Sequence, residues 1–117
     1  MTGEEFAHLK EDFEAHEDAL LRFKRTQYAA DGDRLKNFRL IGELLGLRPE
    51  QVAVVYMAKH FQSIAQQVME DTYEWAWETD RGEGLKQRIA DLRNYGLLLA
   101  GCLEEAIERL EGIDEDA

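Results

Sequence analysis

Two long stripes with helical spacing constrain the fold of this chain more than any other feature. In the first segment, Glu4 to Tyr28, mainly apolar residues recur every three or four positions, as in a helix that packs along one face. The last segment, Leu85 to Leu110, does the same for more than three heptads. The stripe positions are Phe6, Leu9, Phe13, His16, Leu20 and Phe23 in the first segment, and Leu85, Ile89, Leu92, Gly96, Leu99, Leu103, Ala106 and Leu110 in the last. The pattern predicts long first and last helices.

Two further helices are predicted between them. A short one fits Arg34 to Leu45, with Gly46 as its C-cap. Pro49 suits the first position of a third helix. This third helix has a wide apolar arc, which predicts burial between neighbours. The arc comprises Val52, Val55, Tyr56, Ala58, Phe61, Ile64, Ala65 and Val68.

The connections are predicted from turn-forming residues and from the loss of periodicity. A turn is expected over Ala29–Asp33 and a loop over Asp80–Gly84, since Asp and Gly favour turns. The aromatic residues of Tyr73–Glu78 alternate as in a strand. An isolated strand would lack a partner, so we interpret this segment as the frayed end of the third helix.

These elements predict an all-α antiparallel bundle of about four helices. With 117 residues the chain has the length of one domain, 1–117, and its acidic tail is expected to fray from about residue 112. No apolar run approaches a membrane span, and the acidic N-terminus is unlike a signal peptide. The apolar surface exceeds what one protomer of this size covers, which predicts a homodimer.

Charge is concentrated at the two ends of the chain. The sequence has 25 acidic and 14 basic residues, and seven carboxylates lie in each of the segments Met1–Asp18 and Glu104–Ala117. A net charge of −11 argues against coating a long nucleic acid. The lone cysteine, Cys102, excludes an internal disulfide and predicts a cytoplasmic protein in which this thiol is buried.

Carboxylates one turn apart indicate a candidate Mg²⁺ site. Glu14 and Glu17 have this spacing on the first helix, and Asp91 is the candidate ligand on the last. The alternative interpretation is a solvated acidic helix face. The three histidines form no helical pair, so zinc is not expected, and neither is haem.

Charged residues in apolar helices indicate a candidate ligand site. Lys59 and Asp91 lie near the middles of the third and last helices, where charges are usually paired or functional. They either form an ion pair or line a polar pocket with further residues, namely Asn37, His60 and Asn94. The basic stretch Arg22–Ile41, which includes Arg34, either binds a phosphorylated small ligand or neutralises the acidic ends.

Several short fragments in fixed order resemble a known group of proteins. The fragments are Tyr28-Ala29, Asp33–Phe38, Leu44–Val52, Tyr56–His60 and Arg88–Tyr95. They resemble small all-α phage and prophage proteins of the nucleotide-modification-associated domain type, a group distantly similar to MazG-like nucleotide pyrophosphohydrolases. The resemblance covers roughly 28–103 and implies a pocket formed by Asn37, Lys59, Asp91 and Asn94. The chain lacks the second acidic pair of true MazG-like enzymes.

Two functions follow as hypotheses. In the first, the protein binds or hydrolyses a nucleotide: Lys59, Arg34 and His60 contact phosphate or base, Lys59 and Asp91 are the catalytic candidates, and Asp91 with Glu14 or Glu17 holds Mg²⁺. In the second, it is a non-enzymatic acidic interaction protein, such as a phage-encoded inhibitor of a basic host protein. Tyr73, Trp75 and Trp77 are then the interface anchors, because aromatic residues are favoured at binding hot spots.

Overall fold

A computed structural model of the chain describes residues 1–28 and 33–116. The elements are α1 (Gly3–Tyr28), α2 (Lys36–Leu45), α3 (Pro49–Met69), β1 (Glu78–Thr79), β2 (Gly82–Glu83) and α4 (Leu85–Asp116). The structure is 77% helical, which confirms the all-α prediction with long first and last helices. None of the described helices has the length and apolarity that a membrane crossing requires.

The chain divides into two compact units, Met1–Arg34 and Leu35–Ala117. The first unit consists mainly of α1, described over Gly3–Tyr28. The backbone N–H of Glu5 donates to the Thr2 hydroxyl at 3.1 Å, so Thr2 satisfies one of the donors that a helix N-terminus leaves open. The turn predicted over Ala29–Asp33 lies, apart from Asp33, outside the described residues.

In the second unit, α2 and α3 meet at a tight corner. The α2 helix ends at Gly46, which has φ +69° as the left-handed C-cap requires. Pro49 occupies the start of α3, and the Arg48 N–H donates to Gln51 Oε1 at 2.9 Å. Gly42 makes the corner possible, because a Cβ there would lie 2.5 Å from the Leu47 carbonyl oxygen.

The predicted helical extension through Tyr73–Glu78 is wrong, because α3 already ends at Met69. Asp71 has φ +55°, and the Thr72 N–H donates back to the Gln67 carbonyl at 3.0 Å, which is the Schellman closure of a helix. The strand partner that the sequence did not indicate is Gly82–Glu83, which pairs antiparallel with Glu78–Thr79. Only the first two residues of the predicted loop, Asp80-Arg81, form the hairpin turn.

The core of the second unit lies where α2, α3 and α4 meet. Phe38, Val52, Ala53 and Cys102 are its buried members. The α3 and α4 helices run antiparallel, since Glu50 faces Arg109 at 3.7 Å while Tyr56 stacks on Tyr95. Cys102 is 2% exposed, as predicted for a small buried hydrophobic residue. Burial raises the pKa of its thiol, and the nearby carboxylates raise it further.

Candidate functional site

An aromatic stack lies at the middle of the α3–α4 contact. We call Phe38, Tyr56, His60 and Tyr95 the Tyr95 stack, because the Tyr95 ring contacts the other three. Tyr56 is nearly parallel to Tyr95, with ring centres 5.5 Å apart, and His60 lies 5.0 Å from it. Phe38 meets Tyr95 edge-on at 6.2 Å. Such offset and edge-on pairs add stability beyond the area they bury.

The environment of Tyr95 favours its neutral hydroxyl. Burial raises the pKa of Tyr95, and the negative charge of Asp91, one turn earlier on α4, raises it further. Tyr56 and Glu83 act in the same direction with smaller effects. Tyr95 and Tyr56 were not predicted as site residues from the sequence, although Tyr56 lies four positions before His60 and Tyr95 four positions after Asp91.

The predicted ligand residues are brought together only in part. His60 and Asp91 lie around Tyr95, and Asn94 is half-buried. Asp91 accepts a hydrogen bond from Gln87 Nε2 at 2.9 Å. Lys59 and Asn37 are exposed, and within the described chain Lys59 forms no ion pair with Asp91. The reason is helical phase: Lys59 precedes His60 by one position and therefore points about 100° away from α4.

The predicted metal ligands belong to different units. Glu14 and Glu17 lie on α1, and Asp91 lies on α4. The Glu14 carboxylate is 3.7 Å from Lys10 Nζ. Over residues 1–28 and 33–116, no group of three or more His, Cys, Asp or Glu side chains is placed to hold a metal ion.

The basic stretch is partly neutralised within the chain. Arg39 Nη1 lies 3.2 Å from Glu105 Oε2 of α4, as expected if the acidic end pairs with this stretch. Arg34 is exposed and belongs to the first unit. The side chains of Arg22, Lys24 and Arg25 lie outside the described residues.

The predicted aromatic anchors lie between α3 and α4. Tyr73 and Trp75 are exposed, and Trp77 is half-buried. Lys86 Nζ lies 5.3 Å from the Trp75 ring centre and 5.8 Å from that of Trp77, within the range of a cation–π contact. Lys86 therefore links the two indoles to the start of α4.

A polar pocket of about 260 Å³ lies where the end of α3, the hairpin and the start of α4 meet. The pocket as a whole was not predicted from the sequence, because its residues come from three separate elements. Both signs of charge line it, and Arg88 Nε is buried there without a hydrogen-bond partner among the described atoms. The lining residues are Ser63, Gln66, Gln67, Glu70, Glu74, Thr79, Arg81, Glu83 and Arg88.

The α3 helix also has a second apolar stripe, which is exposed. We call it the outer stripe: Val54, Ala58, Phe61, Ala65 and Val68, at alternating steps of four and three. Its large members are exposed, with 61% for Phe61, 52% for Val54 and 49% for Val68. Burial of the whole apolar arc, as predicted, is therefore wrong for Val55, Ala58, Phe61 and Val68 within this chain.

The exposed apolar residues of α4 lie beside the outer stripe. Val54 follows Ala53 and Phe61 follows His60, and both of these predecessors face α4. Likewise on α4, Leu103 follows Cys102 and Ile107 follows Ala106. The residues of each helix that touch the other helix form its contact line. In an antiparallel pair of right-handed helices, the residues one position after the contact line lie on the same side of both helices. We call this side the open face; its large residues are Val54, Phe61, Val68, Leu103, Ile107 and Leu110.

The opposite side of the α3–α4 pair is occupied by α2. There the contacts are made by residues that precede the contact line. Val52 packs in the core with Phe38, Gly101 lies against Leu35, and Glu105 pairs with Arg39. Within the second unit, α2 thus covers one side of the pair and the other side is the open face.

Comparison with protein families, curated proteins and solved structures finds no match to this chain. The resemblance to phage-encoded and MazG-like proteins therefore remains a prediction.

Proposed function

We propose that this chain is a non-enzymatic interaction protein that binds another polypeptide through the open face. The observation that supports this proposal is an excess of exposed apolar side chains over buried ones. Among the described residues of the second unit, fifteen large hydrophobic side chains are exposed and six of these form the open face, whereas seven hydrophobic residues are buried. Monomeric proteins rarely expose large contiguous apolar patches, and such patches mark interaction sites.

The charges and aromatic residues support the same proposal. Tyr73 and Trp75 are exposed, and exposed aromatic residues are favoured anchors at binding hot spots. The carboxylates at the two ends of the chain would attract a basic surface that met them, as for an inhibitor of a host protein, and would repel an acidic one, whereas the uncharged outer stripe does neither. The buried Cys102 thiol suits the reducing cytoplasm in which we propose the protein acts.

Site-specific photo-crosslinking tests this function in cells that express the chain. A benzophenone amino acid replaces Phe61 on the open face. The matched control places it at Gln66, an exposed position of the same helix about 140° further around its axis. We expect discrete crosslinked polypeptides from position 61 and none from position 66. No product at position 61, or equal products at both positions, would contradict the proposal.

The Tyr95 stack favours a second candidate, a nucleotide-handling bundle. Aromatic rings stack on bases with a gain of about 1–3 kcal/mol each, and Asp91 lies close to this stack. In this candidate Lys59 contacts phosphate from its exposed position, and Asp91 orients the ligand or contributes to a Mg²⁺ site. The resemblance to MazG-like proteins points the same way.

A thermal-shift screen separates the two candidates. Nucleoside mono-, di- and triphosphates are tested with and without Mg²⁺, because a specific ligand stabilises the native state by mass action. The interaction protein shows no nucleotide-dependent change in Tm. The nucleotide-handling candidate requires a saturable rise in Tm that is lost in Asp91→Ala and Lys59→Ala, and it is rejected if no nucleotide produces one.

A further inference from the structure

We infer that the polypeptide bound by the open face is a second copy of this chain, and that the two outer stripes pair antiparallel. This inference rests on the proposed function and specifies its partner. The resulting interface is isologous, since the same residues of α3 contribute from both copies. A closed dimer follows, without an open end from which a fibre grows.

The sizes of the side chains on the outer stripe are self-complementary. Large residues alternate with alanine: Val54, Phe61 and Val68 at one set of positions, Ala58 and Ala65 at the other. In an antiparallel helix pair, successive layers place one set opposite the other. In the register that places Phe61 of each copy over Ala58 of its partner, Val54 likewise lies over Ala65. Facing layers of large and small residues interdigitate well and allow close helix packing.

The charge distribution also favours a second copy. The chain carries −11, so two copies repel each other wherever their carboxylates meet. The segment from Gln51 to Met69 contains no carboxylate, and its one charged residue, Lys59, lies off the outer stripe. A basic partner would gain little at such a surface, whereas a second acidic copy can dock there without apposing like charges.

The exposed residues of α4 extend the contact. Leu103 and Leu110 are 43% and 63% exposed on the same side as the outer stripe. A standard interface buries about 800 Å² per partner, and one helix stripe supplies only part of that area. A copy seated on α3 has this second row of apolar side chains beside it.

Sedimentation of the full chain tests the inference. We expect a reversible dimer at micromolar concentration for the wild type. Phe61→Ser removes the central large residue from both copies and should raise the dimer Kd by about 100-fold. Circular dichroism checks that this variant keeps its helical content. A wild-type chain that stays monomeric overturns the inference, while a heterologous crosslink from position 61 would still support the proposed function.

A second variant distinguishes interdigitated packing from nonspecific hydrophobic association. Ala58 is exposed, so Ala58→Leu adds apolar surface without crowding the fold. In the antiparallel dimer the added side chain fills the space that the partner's Phe61 requires, and we expect dimerisation about tenfold weaker or worse. Unchanged or tighter dimerisation overturns the inference. Gln66→Leu, away from the outer stripe, is the matched control and should leave the Kd unchanged.

Discussion

The two apolar faces of α3 differ in exposure, although their apolar residues have nearly the same spacing in the sequence. The inner face carries Ala53, Tyr56 and His60 and packs against α4, while the outer stripe carries Val54, Phe61 and Val68 and remains exposed. Both faces have helical spacing and both contain large side chains. The difference shows that helical periodicity locates apolar faces, whereas burial depends on which helix lies next to them.

Truncating one phenylalanine at each face of α3 should give the largest difference in unfolding free energy between the two faces. Phe38, 5% exposed, packs on the inner face of α3. We expect Phe38→Ala to lower the free energy of unfolding by about 3–5 kcal/mol, because it leaves a cavity in the core. Phe61→Ala on the outer stripe creates no cavity in the protomer and should cost less than about 1 kcal/mol.

Denaturant unfolding measures both variants. Low protein concentration is required, so that self-association does not contribute to the stability of the Phe61 variant. Equal losses for Phe38→Ala and Phe61→Ala would mean that the outer stripe is packed within the protomer. That result would contradict both the exposed face and the dimer built on it.

Much of the fold was predictable because its signals are local. The Gly46 C-cap, the Pro49 helix start and the Thr2 N-cap all depend on residues within four positions of each other. The hairpin was not predictable in this way. Its two-residue strands are too short for a periodic signal, and the end of α3 depends on Asp71, a non-glycine residue that adopts a left-handed conformation.

The candidate site was predicted less well, because it depends on helical phase. Lys59 and His60 are adjacent in sequence, yet only His60 faces Tyr95. Its charge in an apolar context pointed to Lys59, whereas Tyr56 has the spacing of an ordinary core residue in the apolar arc of α3. The register between α3 and α4, which brings Tyr56 to Tyr95, depends on how the two helices pack. It cannot be predicted from the residue pattern of either helix alone.

Enlarging an alanine on each face should give the next largest difference. Ala53 is fully buried, so Ala53→Leu overpacks the core and should cost about 1–3 kcal/mol of unfolding free energy. Ala58→Leu enlarges an exposed alanine of the same helix, and we expect stability within about 0.5 kcal/mol of the wild type. Urea titrations of the monomeric proteins check the pair. A large loss for Ala58→Leu would show that a neighbour within the protomer already occupies the outer stripe.

The smallest predicted effect is a change of folding stability with pH, and it should arise at the inner face of α3 alone. The pKa of Tyr95 is raised above its ordinary value of 10.0 by burial and by Asp91. The folded state therefore retains the tyrosine proton at a pH where the unfolded chain releases it. This contribution to stability is complete below pH 10 and is lost as the pH rises through the raised pKa.

We therefore expect the stability of the wild type, relative to Tyr95→Phe, to stay constant up to about pH 10 and to fall over the pH range above it. Guanidinium titrations of both proteins across this range measure the difference, and parallel pH profiles would contradict the raised pKa of Tyr95. Unlike the Tyr95 stack, the outer stripe consists of Val, Ala and Phe, none of which titrates. If both proteins keep the same dimer Kd while their relative stability changes, the two faces of α3 are energetically independent: one holds the protomer together and the other joins two copies.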